Sequence, residues 1–69
     1  MCLAVPGKVE SVNGDSAEID FSGLKRKASI QFIPDVKIGD FVLIHAGFAI
    51  QKVDKNVAKE TIRIFKELQ

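Results

Sequence analysis

The chain's one cysteine stands at position 2, directly behind the initiator methionine, in the string Met1-Cys2-Leu3-Ala4-Val5-Pro6-Gly7. A small second residue allows the methionine to be trimmed, and Cys2 then carries an α-amine and a thiol on adjacent carbons. The neighbouring ammonium favours the thiolate, the form that binds metals and attacks electrophiles. Amine and thiol are also a chelating pair. Against this stands the reading of Cys2 as a small buried apolar residue, since free cysteine is among the most buried residue types. Chain termini, however, are usually exposed.

Few other residues offer chemistry. The chain has one histidine, His45, and one methionine, so it cannot supply the four cysteine and histidine ligands of a structural zinc site. No Ser-His-Asp or Cys-His order fixes a nucleophile and base by sequence. Gly39-Asp40 lacks the spacing and lysine of a phosphate loop. His45 shares strand parity with Phe41 and Leu43, which points first to a histidine on a packed or partner-covered face with one nitrogen satisfied by backbone. An approach of His45 to Cys2 in space stays open. The basic run Lys25-Arg26-Lys27 invites a nucleic-acid reading, but single-strand binders stack bases on exposed aromatics. Here the aromatics are five phenylalanines, of which Phe21, Phe32 and Phe65 fall on apolar rows expected in the core. A solvated hairpin edge, where lysines discourage strand-to-strand association, accounts for the run.

Length and charge bound the classes. A chain of 69 residues makes one small domain with a thin core. With 46% hydrophobic and 28% charged residues the composition is that of a folded protein. A net charge of +1 argues against nucleic acid or an anionic membrane as partner. A single cysteine forms no internal disulfide, and no basic stretch followed by an apolar one opens the chain, so a cytoplasmic location is expected. Apolar runs such as Phe41-Val42-Leu43-Ile44 are far too short to span a bilayer.

The elements that must position Cys2 and His45 read as mostly β. Val5 to Val12 forms a first strand kinked at Pro6-Gly7, where proline removes a ladder donor and glycine tolerates a bulge. Asn13-Gly14 supplies a type I′ hairpin turn. Ala17, Ile19 and Phe21 alternate with Glu18 and Asp20 in a second strand, Ser22-Gly23 reverses the chain, and Ala28, Ile30 and Phe32 carry a third strand ending at Pro34-Asp35. After the Gly39-Asp40 turn, Phe41 to Ala46 is apolar almost throughout, as in a strand covered on both faces. A short strand, Phe48 to Val53, leads into a helix. Its rows Val57, Thr61, Ile64, Leu68 and Ala58, Ile62, Phe65 form one apolar stripe, with Asp54 or Asn56 as N-cap and Lys66 in the last turn. The expected architecture is a small five-stranded OB-like barrel, about residues 3–53, with one C-terminal α-helix at about 55–68.

Two blocks carry a resemblance. Met1-Cys2-Leu3-Ala4-Val5-Pro6-Gly7-Lys8-Val9 and Gly39-Asp40-Phe41-Val42-Leu43-Ile44-His45-Ala46-Gly47-Phe48-Ala49-Ile50 resemble the opening and central signature of the HypC/HupF hydrogenase-maturation chaperones, including the HybG type. The likeness runs over essentially the whole chain, with the Asp20-Phe21-Ser22-Gly23 turn and the closing helix. Phe41 departs from it, since tyrosine is the expected residue there and a hydroxyl is missing.

The resemblance implies a carrier and escort, with no catalytic residues of its own. Family members help to assemble the iron centre of nickel-iron hydrogenases. They partner an iron-sulfur scaffold protein of the HypD type, on which iron receives cyanide and carbon monoxide, and then the precursor of the hydrogenase large subunit. The iron group, Fe(CN)2CO, is held transiently and shared with the partner, and no cofactor is bound permanently. Carried over residue by residue, Cys2 is the thiolate ligand or contact to the iron group, and His45 is a neighbour that orients the thiol or handles its proton. Leu3, Pro6, Gly7 and Phe48 join Cys2 and His45 as partner-binding positions. His45 is then expected on the barrel surface near the point where the N-terminal strand emerges. Two other readings stay open: an interaction module whose thiol is a mere contact while the partner holds the metal, and an OB-like nucleic-acid binder using Lys25, Arg26 and Lys27.

Overall fold

A computed structural model describes residues 5–68. Five strands, β1 (Gly7–Asn13), β2 (Ser16–Phe21), β3 (Leu24–Ser29), β4 (Phe41–His45) and β5 (Phe48–Val53), precede one helix, α1 (Lys55–Glu67). They close into a barrel in the order β1-β2-β3-β5-β4, with β4 returning to β1. All pairings are antiparallel except β3 with β5, which meet at the single pair Ser29 and Phe48. Closure leaves side chains from both ends of the chain to fill one interior. Val9, Ala17, Ile19, Ala28, Ile30, Val36, Val42 and Ala49 form that core, with Phe21, Ile33 and Ile44 packed against it.

Turn chemistry explains the three hairpins. Asn13 pairs with Ser16, so the central residues of the first turn are Gly14 and Asp15, and of these only Gly14 has positive φ, at 61°. That is the type II′ pattern with glycine first, in place of the expected type I′ turn at Asn13-Gly14. The type I′ pattern, positive φ at both central residues, occurs at Ser22-Gly23 and at Ala46-Gly47. The bulge of β1 is likewise displaced: it falls at Glu10, between Val9 and Ser11, while Gly7 is regularly paired with Val42 and Pro6 lies just ahead of the strand.

Two expectations about burial need correction. The third strand ends at Ser29, before Ile30 and Phe32. Its partner β2 begins at Ser16, opposite Ser29, so there is no strand left to pair with. Ile30 donates its N–H to the Asp15 carbonyl, and the chain then turns through Ile33 N–H to Ile30 C=O. Ile30 and Val36 stay buried, whereas Phe32 is 64% exposed and is no part of the core. In β4 only Phe41 and Val42 are buried. Leu43 and Ile44 are half-buried and His45 is exposed, so the strand is covered on both faces at its start alone.

The helix begins at an Asp54 N-cap, whose side chain accepts from the N–H groups of Asn56 and Val57 at 2.9 and 3.2 Å. Lys66 sits in the last turn, where a cation suits the helix dipole. The stripe divides: Ala58 is fully buried and Thr61, Ile62 and Phe65 are half-buried, but Val57, Ile64 and Leu68 are exposed. Among the described residues no helix is long and apolar enough to cross a membrane.

Candidate functional site

The β4–β5 hairpin holds His45 in place. His45 and Phe48 are the closing pair around the two-residue turn Ala46-Gly47, where φ is 53° and 84°. Alanine rarely adopts that conformation, and the surroundings hold it there. The Ser29 N–H donates to the Gly47 carbonyl at 2.8 Å, so the turn is tied to the end of β3. Phe48 then meets Phe32, with ring centroids 5.4 Å apart and planes inclined by 37°, a tilted aromatic pair of the favourable kind. The hairpin tip thus presents an exposed imidazole next to two partly exposed rings.

The start of β1 forms the second part. Gly7 pairs with Val42 and Lys8 with Phe41, while the Val9 N–H donates to the Asp40 carbonyl and the Val9 carbonyl accepts from Gly39. β1 and β4 run antiparallel, and β4 continues past Val42 to end at His45, three positions on and about 10 Å along a strand. Pro6 and Gly7 are both buried. No side chain fits at Gly7, since a Cβ there would lie 2.2 Å from Ile19 Cγ2 and 2.7 Å from Phe21 Cε1. Val5 stands at the edge of a cleft of about 520 Å³, completed by Phe21, Ser22, Ile62, Phe65 and Lys66.

The sequence-derived positions are therefore distributed as follows. His45 and Phe48 are brought together as neighbours on one hairpin. Pro6 and Gly7 fix the entry of β1 beside β4. Cys2 and Leu3 lie outside the described residues, as does any distance from His45 to the thiol. Phe32 was missed as a surface residue, because the apolar alternation of Ala28, Ile30 and Phe32 continues past the point where the strand loses its partner. Pro34, read as the end of the strand, gives no sign that pairing stops at Ser29. Among the described residues no three histidine, cysteine, aspartate or glutamate side chains gather as metal ligands.

Some of the charges elsewhere are paired. Glu10, on the β1 bulge, accepts a hydrogen bond from Lys25 Nζ, and this bond with its attendant charge holds the Lys25 ammonium above its usual pKa. Lys25 also stands opposite Asp20, and Lys27 opposite Glu18. The basic run is thus set against an acidic neighbour strand. Lys52 of β5 reaches Asp35 at 3.1 Å and Asp40 at 3.6 Å, tying the 30–40 loop to the barrel.

A family model described as the HupF/HypC family matches residues 1–65. The chain is 43% identical over 68 residues to a protein named hydrogenase maturation factor HypC from Synechocystis sp., covering 90% of each. Proteins of the same name from Azotobacter chroococcum and Cupriavidus necator are 38% and 37% identical, covering 99% and 100% of this chain and 82% and 78% of theirs. The matched span takes in the N-terminal block, the barrel and most of the helix, and the chain belongs to the HupF/HypC family.

Proposed function

We propose that this protein is a hydrogenase maturation chaperone, a non-enzymatic cytoplasmic escort that takes up an iron group bearing cyanide and carbon monoxide and passes it to the precursor of a hydrogenase large subunit. Cys2 is the soft ligand. A thiolate suits low-spin, electron-rich iron. Delivery requires a ligand that lets go, and one cysteine supplemented by ligands from a HypD-type scaffold protein releases its cargo more readily than a closed four-ligand cage. His45 acts on the thiol from the hairpin tip, and Phe48 gives the partner an apolar contact.

The observation that carries this reading is the family match over residues 1–65, a span that holds Cys2 and the β4–β5 hairpin on which His45 and Phe48 form the exposed closing pair. Membership of a family whose relatives are named for hydrogenase maturation supports it.

The test is anaerobic capture of the protein, tagged at its C-terminus, from cells that make the hydrogenase, with partners identified and the cyanide and carbon monoxide stretches recorded by infrared spectroscopy. The wild type should carry iron and these bands together with its partners. Cys2→Ala should lose the bands and hydrogenase maturation while melting at the wild-type temperature. Full maturation with Cys2→Ala refutes the assignment. Bands that stay with the partner while the variant remains bound favour the contact-only module, with the metal held elsewhere.

A further inference from the structure

Between Leu24 and Ala28, β3 has a neighbouring strand on one side only. It pairs with β2 along its whole length, but β5 touches it at Ser29 alone. The Ser29 N–H faces β5, donating to Gly47, and the Ile30 N–H faces the β2 side, donating to Asp15. Backbone groups alternate in direction along an antiparallel strand, so Lys27 and Lys25 share the direction of Ser29. Their N–H and C=O groups leave the sheet ahead of the level at which β5, parallel to β3, begins at Phe48. Among the described residues no backbone group meets them, and the Lys25 carbonyl takes only a hydrogen bond from Arg26 Nη1 at 3.2 Å.

Charge selects what can pair there. A second copy would set Lys25-Arg26-Lys27 against the same residues, and like charges facing each other across strands are unfavourable. An acidic strand meets no such barrier. Lys25 is engaged by Glu10, while Arg26 and Lys27 enter no ion pair among the described residues. Leu24, 54% exposed, gives the same edge an apolar seat. We propose that the open edge of β3 is an acceptor for an extended acidic segment of a partner protein. The segment adds as a strand beside Lys25 and Lys27, carries its carboxylates on the face of Lys27, and lays its apolar residues on the opposite face, which Leu24 and Arg26 share.

Amide hydrogen exchange read by NMR tests this, with a peptide of about eight residues alternating glutamate and valine, its lysine counterpart, and the glutamate peptide with a central proline. The glutamate peptide should slow exchange at Lys25 and Lys27 by about tenfold or more, leaving Arg26, whose N–H faces β2, unchanged; the other two peptides should do neither. Lys27→Pro removes the outward N–H without removing a ladder bond to β2, and should abolish the protection. The double variant Arg26→Glu with Lys27→Glu keeps the backbone and should transfer the preference to the lysine peptide. Unchanged exchange at Lys25 and Lys27 overturns the proposal. So does equal protection by the lysine peptide or by a single-stranded oligonucleotide, or protection that rises with protein concentration in the absence of peptide.

Discussion

Gly7 lies directly against Ile19, so close that a Cβ on Gly7 would stand 2.2 Å from the Ile19 Cγ2 atom. Ile19 is fully buried, and the contact occurs where β1 enters between β2 and β4. The entry of β1 between its neighbours is thus set by the absence of a side chain.

Gly7→Ala should therefore destabilise the barrel by about 1–3 kcal/mol, the usual cost of overpacking a filled core. Urea unfolding measures it. An unchanged midpoint would mean that the β1 entry has slack, and that Gly7 does not define it.

Ala46 is strained at φ 53° in the turn that carries His45. Replacing it with glycine relieves the left-handed conformation and costs some unfolded-state entropy, for a net gain of about 0.5–1 kcal/mol. Thermal melts should show Ala46→Gly more stable than wild type. A loss of hydrogenase maturation in that stabilised variant would mark the rigidity of the turn as functional.

Ile30 and Phe32 are two residues apart and separate the strand reading from the observed turn. Ile30→Ala should cost about 2–4 kcal/mol as a buried truncation, whereas Phe32→Ala, at an exposed ring touching Phe48, should cost about 1 kcal/mol or less. Equal losses in urea unfolding would restore Phe32 to the core.

Asp35 titrates below its ordinary carboxyl value of 3.8, first because Lys52 hydrogen-bonds it and then through a backbone hydrogen bond and the lysine's charge. A depressed folded pKa contributes stability above the unfolded value and loses it as pH falls through the folded one. NMR titration should find the Asp35 midpoint below 3.8 in the wild type and shifted back toward it in Lys52→Met. The two proteins should differ slightly in melting temperature at about pH 6 and converge near pH 2. Identical Asp35 midpoints would remove the ion pair as the cause.

Much of this protein was legible before any fold was known. Hydrophobic alternation marked out β2 and most of β1, apolar runs located β4 and β5, and Asp54 with Lys66 bounded the helix, because these signals are local: strand period, cap chemistry and turn residues act over a few positions. The block around Cys2 and the run ending in His45-Ala46-Gly47-Phe48 indicated the family for the same reason, as contiguous residue strings.

Partners distant in sequence decided the rest. Where β3 ends depends on where β2 begins, so the alternation through Ile30 and Phe32 misled. Which side of α1 is covered depends on residues distant in sequence: Ala58 is buried and Ile62 and Phe65 are half-buried, while Val57, Ile64 and Leu68 stand in water. The open edge of β3 exists because β5, parallel to it, begins at Phe48 level with Ser29 and runs away from Leu24–Ala28, a fact of closure that Lys25-Arg26-Lys27 cannot announce. Residue type alone made Cys2 and His45 candidates, whereas the pairing of His45 with Phe48 around Ala46-Gly47 decides that the imidazole stands at an exposed hairpin tip.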